Sequence, residues 1–300
     1  MTEFEIFLKE NKIEYLKDEP MSRHTSFRIG GNAQYFVSPC DDKQLSLLIE
    51  NCRLKGIPHF TVGKGSNLLV SDKGIEGAVI STLNLNALTL TDDGRIFAGA
   101  GVGLASLCNF AKENSLSGLE FAYGIPGTVG GAMFMNAGAY GGEMKDVAVS
   151  ACVLDEKLSV QLIEGEAMEL SYRSSVFKKK NLIVIGAYFR LEKDDKKQIE
   201  ARMEDYMGRR IAKQPLEFPS GGSVFKRPVG YFAGALIEEN GFKGFSIGGA
   251  QVSEKHAGFI INRGNATCSD VKALIAKIQN TVYEKNGVQL EPELIFKGIE

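Results

Sequence analysis

GIPGTVGGAMFMNAGAYGG, residues 124–142, places seven glycines in nineteen positions. A segment this apolar and this poor in side chains packs badly unless something flat or charged lies on it. What it offers is backbone, because without Cβ atoms successive amides can converge on phosphate oxygens. A second loop of the same kind, VGKGSN at 62–67, runs straight into the apolar residues 68–70. Neither loop is a standard nucleotide signature. Gly63 and Lys64 are followed by Gly65 rather than Ser or Thr, and Pro58 stands where a P-loop needs its first glycine. The third glycine of GxGxxG is also missing: Gly101 and Gly103 lead to Ser106, and Gly63 and Gly65 lead to Leu68. The pair of loops therefore predicts a pyrophosphate held largely by amides, on something other than a P-loop or Rossmann fold. An isolated pair such as Gly30-Gly31 reads only as a tight turn.

Outward from the loops, strand and helix signals alternate. Strands are predicted at Ala33 to Val37 and His59 to Val62. A helix between them opens at Asp41 and Asp42, buries Leu45, Leu48, Ile49 and Cys52, and closes at Gly56, a βαβ-like unit. After the apolar segment 68–70, short strands follow at 78–82, 87–91 and 95–100, with Asp93-Gly94 as a hairpin turn between the last two. A helix over 104–114 precedes strands at 147–155, 160–163 and 182–192. Polar residues 194–197 form a hinge before a helix carrying Ile199, Met203, Tyr206 and Ile211, and Pro215 and Pro219 then break the chain, so a domain boundary falls there. The remainder predicts a helix over 231–240, strands at 250–252 and 258–262, and a long helix from the capping box Thr267…Asp270 to Gly287.

Composition narrows the function classes. Three hundred residues, 44% hydrophobic and 24% charged, describe an ordinary globular chain with room for two domains of roughly 100–200 residues. Thirty-five Lys and Arg against 37 Asp and Glu leave a net charge of −2, so no global positive field invites nucleic acid or an anionic membrane, and anionic ligands must be met locally. No apolar run approaches a membrane span, and MTEFEIFLKENK has acids where a signal peptide has a basic region; a cytoplasmic protein is expected. Five cysteines without CxxC suggest buried thiols, and three scattered histidines argue against a metal site.

Six separated segments then carry a resemblance. His24-Thr25-Ser26-Phe27 with Gly30-Gly31, VGKGSNLLV (62–70), GIPGTVGGAMFMNAGAYGGE (124–143), SYRSSVF (171–177), PSGGSVFKRP (219–228) and LEPEL (290–294) closely resemble, in order, the UDP-N-acetylenolpyruvoylglucosamine reductase (UDP-N-acetylmuramate dehydrogenase) family. The likeness is to its shorter type, which lacks an inserted substrate-covering loop with a tyrosine. It implies an α+β chain: a two-subdomain FAD-binding fold of the vanillyl-alcohol oxidase/PCMH type, residues 1–75 and 76–195, followed by an α+β substrate-binding domain at 196–300. That would account for the missing Rossmann signature. It also implies non-covalent FAD, NADPH as co-substrate, a sugar-nucleotide substrate and a monomer, with His24 a structural hydrogen-bonder rather than a flavin attachment point. On the cofactor it places Gly63, Lys64, Gly65, Ser66, Asn67, Gly124, Ile125, Pro126, Gly127, Thr128, Gly130, Gly131, Asn136 and Gly138.

The implied reaction reduces the enolpyruvyl ether of UDP-N-acetylglucosamine to the lactyl ether of UDP-N-acetylmuramate, a peptidoglycan precursor. NADPH reduces FAD and leaves, and the sugar nucleotide takes its place. Hydride addition to the terminal alkene carbon sends negative charge from the next carbon into the carboxylate, which calls for a cation or acid at the carboxylate and a proton donor at the carbon. By resemblance Arg173 is the cation, Glu293 the second stabiliser and Ser223 the proton donor. On residue type alone Arg173 could be a surface ion pair, Glu293 a solvent-facing carboxylate and Ser223 a turn former. Tyr172, Arg210, Gln214 and Lys226 are expected on the substrate, with Lys226 a point charge for a diphosphate. Arg227, where the family usually has Asn, and Leu294-Ile295, in place of its common Val-Arg, are departures confined to local substrate contacts. The competing readings are another FAD oxidase or dehydrogenase on the same fold, and a sugar-nucleotide binding module without turnover.

Overall fold

In the computed structural model, which describes residues 1–299, the chain divides into two units, one built from Met1–Leu16, Tyr35–Lys64 and Gly77–Arg209, the other from Lys17–Gln34, Gly65–Glu76 and Arg210 onward.

The first unit has two apolar cores. One lies under helix Asp42–Leu54, whose buried Leu45, Leu48, Ile49 and Cys52 recur at helical spacing and meet Tyr35, Val37, Ala78 and Ile80. The Asp41 carboxylate accepts from Gln44 N at 2.7 Å and so caps the helix. The strands before and after this helix, Asn32–Ser38 and His59–Val62, do not pair with each other; Ile75–Ser81 lies between them and runs parallel to His59–Val62. The βαβ-like expectation is corrected to that extent. Helix Glu3–Glu10, with a capping box from Thr2, and strand Glu14–Pro20 complete the N-terminal region.

The second core sits on an antiparallel five-stranded sheet in the order Val160–Glu164, Ala148–Leu154, Ile183–Phe189, Ile96–Gly99, Leu88–Leu90. Gly94, at φ +80°, turns the chain between the last two strands. Helices Leu104–Glu113 and Val129–Met135 and residues Ile199 and Met203 of helix Lys196–Lys213 bury their apolar faces there, with Phe177 and Phe189 fully enclosed.

The second unit holds the antiparallel sheet Ser220–Ser223, Phe259–Asn262, Ala250–Val252, Ser246–Ile247. It is covered by helices Ala233–Glu239 and Cys268–Asn286. The long helix begins at the expected capping box and ends at Gly287 in a left-handed conformation. Its core also takes Phe27, Ile29 and Leu69 from the N-terminal segments. Cys52, Cys108 and Cys268 are buried, and burial lifts the thiols of Cys52 and Cys268 to about 12 and about 11.

Candidate active site

In the first unit, the glycine loops converge on Thr128. A Cβ at Gly63 would meet the Thr128 hydroxyl at 2.3 Å, and one at Gly103 would meet Lys64 Nζ at 2.9 Å. Thr128 is only 2% exposed, and its Oγ1 has no hydrogen-bond partner among the described residues. Gly103 and Thr128 face each other across an isolated antiparallel bridge flanked by Leu104 N→Gly127 O (3.1 Å) and Val129 N→Val102 O (2.9 Å). In such a non-bonded pair the N–H groups of the two facing residues point away from the ladder. Two outward amides, one orphaned hydroxyl and one ammonium thus gather where glycines leave room, a donor set suited to phosphate oxygens.

The stretch 124–142 is less of an amide cradle than its glycine count suggests. Amides of Gly127, Val129 and Gly130 bond to Ile125, Val102 and Ala100 carbonyls, and residues 129–135 are helical. Gly130 and Gly138 serve close packing: a Cβ would lie 2.9 Å from Ala100 Cβ at the first and 2.6 Å from Gly142 O at the second. Gly131 stays open beside the Thr128 hydroxyl. Gly124, Ile125 and Pro126 form the turn into Gly127, with Ile125 N bonded to Ala122 O.

Asn136 ends that helix at φ +43° with its side chain wholly inside the protein. Its Oδ1 accepts from Lys145 N, and its Nδ2 donates to Glu143 Oε2 at 2.8 Å and to Ser171 O at 3.1 Å. Ser171 and Ser174 exchange two backbone hydrogen bonds of 3.0 Å, closing a tight turn with Tyr172 and Arg173 at its tip. Arg173 takes φ +54°, and its guanidinium lies over the Tyr172 ring at 5.2 Å. A non-glycine residue held left-handed costs about 1–3 kcal/mol, and such strain gathers at functional sites. The glycine-rich stretch therefore braces the Arg173 turn through Asn136.

In the second unit, the segments that carry Ser223 and Glu293 lie side by side. Strand Ser220–Ser223 pairs with Phe259–Asn262 through Ser220↔Ile261 and Ser223↔Phe259, leaving a bulge at Gly221-Gly222, where Gly222 has φ +81° and open space. The bulge turns Ser223 relative to the flat strand. Glu293 N donates to Val224 O at 2.7 Å, Phe225 bridges Pro292, and Lys226 N donates to Glu291 O, so LEPEL lies directly along GGSVFK. Lys226 also ion-pairs with the Glu291 carboxylate. Asn67 Nδ2 donates to Glu293 O at 3.1 Å, Gly65 packs against the His24 carbonyl, and Ser66 O accepts from Ser26 Oγ. Ser26 Oγ also donates to Ser220 O at 2.7 Å, tying the His24–Phe27 segment to the strand that carries Ser223. Arg210 is in the last turn of its helix, and Gln214 Oε1 is buried without a hydrogen-bond partner. Arg173 belongs to the first unit, Ser223 and Glu293 to the second.

Comparison with known proteins decides the family. Residues 33–160 match an FAD binding domain, and 214–297 match the C-terminal domain of UDP-N-acetylenolpyruvoylglucosamine reductase. UDP-N-acetylenolpyruvoylglucosamine reductase of Caldanaerobacter subterraneus is 50% identical over 97% of this chain and 95% of its own length; that of Clostridium perfringens is 49% identical over 96% and 94%. The crystal structure of the Thermus caldophilus reductase superposes with a TM-score of 0.80 at 32% identity, covering 95% of this chain and 98% of that one. The chain belongs to the UDP-N-acetylenolpyruvoylglucosamine reductase family. It is accordingly an oxidoreductase, with the α+β FAD-binding fold. The Phl p 4 variant, a glucose oxidase 12% identical, shares the fold alone at a TM-score of 0.50, over 65% of this chain and 45% of that one.

Within this reductase family fold, the Thr128 cradle fits the pyrophosphate of FAD, because an orphaned buried hydroxyl and the space of missing Cβ atoms are what a polyanion needs. Gly103 is the cradle residue that sequence reading missed. Its signal in the sequence is Gly101-x-Gly103, which lacks the third glycine of the dinucleotide fingerprint and so does not stand out.

Proposed function

We propose that this chain is an NADPH-dependent reductase of the enolpyruvyl ether of UDP-N-acetylglucosamine, forming UDP-N-acetylmuramate for peptidoglycan. The observation that carries the reading is the strand of Ser223, turned by a glycine bulge, lying against the segment that carries Glu293, joined by Glu293 N→Val224 O, in a chain whose Arg173 is held in a strained turn. When bound, FAD supplies the hydride that NADPH has delivered to it. Gly63, Lys64, Gly103, Thr128 and Gly131 would hold its pyrophosphate. Arg173 receives the substrate carboxylate with a guanidinium fork, which suits a group gaining negative charge. Ser223 gives its hydroxyl proton to the carbon beside that carboxylate. Glu293 assists at the same developing anion and must be protonated, or share a proton there, to do so. Tyr172, Arg210, Gln214 and Lys226 bind the rest of the sugar nucleotide, Lys226 exchanging its Glu291 partner for the diphosphate. A division into FAD-binding subdomains at 1–75 and 76–195 with a substrate domain from 196 belongs to the same reading.

The test is a pair of half-reactions. NADPH alone should bleach the yellow flavin, and the enolpyruvyl sugar nucleotide should restore it without oxygen. A flavin indifferent to NADPH would overturn the reading in favour of an oxidase, and a colourless protein in favour of a binding module.

A further inference from the structure

The turn that carries Arg173 leaves one of its own acceptors outside its backbone pattern. Ser171 and Ser174 exchange both backbone bonds, and Ser171 O also takes the Asn136 amide, but the Arg173 carbonyl has no place in that set. It accepts instead from Lys178 Nζ at 3.3 Å. The contact falls on the one non-glycine residue of the turn with a positive φ. A residue in that region persists only where its surroundings over-determine it, and a donor fixed on its carbonyl limits the rotation that would let it relax.

Lys178 is itself firmly placed. It belongs to the short helix Val176–Lys179, whose Val176 and Phe177 are buried. Ser175, fully enclosed, accepts from Lys178 N at 3.1 Å and donates its own hydroxyl to Phe134 O at 2.7 Å, which fastens the start of this helix to helix Val129–Met135. The Lys178 ammonium also lies 3.8 Å from Met135 Sδ. Helix Val129–Met135 therefore reaches the turn by two routes, through Asn136 to Ser171 O and through Ser175 and Lys178 to Arg173 O. An ordered, half-buried lysine gives up rotamer freedom comparable with what one hydrogen bond returns, so the contact adds little to stability. What it adds is geometry. We propose that Lys178 is a positioning residue for Arg173, its ammonium holding the Arg173 carbonyl and through it the aim of the guanidinium. No proton or electron passes through it. The inference rests on Arg173 receiving the substrate carboxylate.

A double-variant cycle on the two flavin half-reactions tests it. Lys178→Met keeps an unbranched stem beside Met135 and removes the donor. It should slow reoxidation of the reduced flavin at saturating enolpyruvyl substrate by about 10²-fold, the cost of a reacting group misplaced by about an ångström. The loss should fall on that rate more than on the substrate's dissociation constant, and reduction by NADPH should be unchanged, which also shows that the variant is folded and holds FAD. Lys178→Arg, which restores a cationic donor, should recover most of the rate. In an Arg173→Ala background Lys178→Met should cost nothing further, because no guanidinium remains to be aimed. Parental reoxidation by Lys178→Met would reduce the lysine to packing, and losses that multiply in the double variant would make it an independent contact of the substrate; either result overturns the proposal. If the parent never reduces the enolpyruvyl ether, it is the reaction assignment that fails, and hydrogen exchange then decides the brace. The Ser174 amide, bonded to Ser171 O at 3.0 Å, should exchange about tenfold faster in Lys178→Met, and an unchanged rate would mean that Lys178 does not hold the turn.

Discussion

Arg173 is held in a conformation that stability alone would give to glycine. Its φ of +54° is comfortable only for glycine, and the turn is kept by the Ser171–Ser174 hydrogen bonds and by Asn136. Arg173→Gly should therefore raise the thermal stability by about 1 kcal/mol while slowing substrate reoxidation of the flavin by about 10²–10³-fold, with reduction by NADPH little changed. Stopped-flow traces and thermal melts on one preparation check both signs, and a variant that lost only the NADPH step would move Arg173 to the other half-reaction. Thr128 makes the complementary case. Its buried Oγ1 has no partner among the described residues, so Thr128→Val should leave the fold intact and weaken FAD binding by about 10–100-fold, the worth of a hydrogen bond to a charged group. Equilibrium flavin titration measures it, and undiminished affinity would remove Thr128 from the cradle. At this scale the sequence singles out Arg173, Ser223 and Glu293 only through the segments that carry them. It was silent on Thr128 as an orphan and on Gly103, because an unpaired hydroxyl and a missing clash exist only once the backbone is folded.

Elements were legible where local chemistry and tertiary packing agree. The Thr267 capping box, the Asp93-Gly94 hairpin and the stripe Leu45, Leu48, Ile49, Cys52 appear as read. Helix Val129–Met135 and strand Ser220–Ser223 did not declare themselves, since each carries two glycines that local propensity penalises by about 1 kcal/mol apiece, and packing overrides that. The segment in front of the glycine stretch is secured by a charge. Glu120, 7% exposed, accepts from Ser117 Oγ, Gly118 N and Arg202, and Arg202 also reaches Asp194. Burial pushes the Glu120 carboxyl up, but backbone hydrogen bonding and Arg202 outweigh it and leave the group below its usual range. A carboxyl depressed on folding contributes stability in full above its unfolded value of about 4.3, and that stability is lost as pH falls through the folded value. Arg202→Met should then cost about 1–3 kcal/mol at pH 7, less than a fully buried pair because Arg202 is partly exposed and two donors remain. The difference from the parent should shrink at a pH acidic enough to protonate Glu120 in both. Urea unfolding at the two pH values reads this directly, and a pH-independent difference would mean that Arg202 acts by packing.

The chain passes between its two units at 16–17, 34–35, 64–65, 76–77 and 209–210, and this interleaving is what a reading by linear segments misses. Polar hinge residues and prolines mark a boundary near 194–219, yet nothing in the composition of 17–34 or 65–76 announces that they join the C-terminal unit. Their contribution is large. Strand Ile295–Lys297 runs parallel to Leu68–Val70, with Ile295↔Leu68, Phe296↔Leu69 and Lys297↔Val70 in register. Asp72 receives the first amides of helix Cys268–Asn286, from Cys268 N at 2.6 Å and Ser269 N at 2.9 Å. Phe27, Ile29 and Leu69 complete the core and are at most 3% exposed. At roughly 1.5–3 kcal/mol for each fully buried side chain, losing these three removes about as much as the whole net stability of an ordinary domain, about 5–15 kcal/mol. A fragment starting at Arg210 should therefore not fold alone, although it contains the entire segment 214–297 that matches the C-terminal domain of the family. Expressed by itself it should give no cooperative thermal transition and no dispersed amide spectrum, and mixing it with the complementary 1–209 chain should restore both. A fragment from 210 that melts cooperatively in isolation would show that residues 17–34 and 65–76 decorate the second unit rather than complete it.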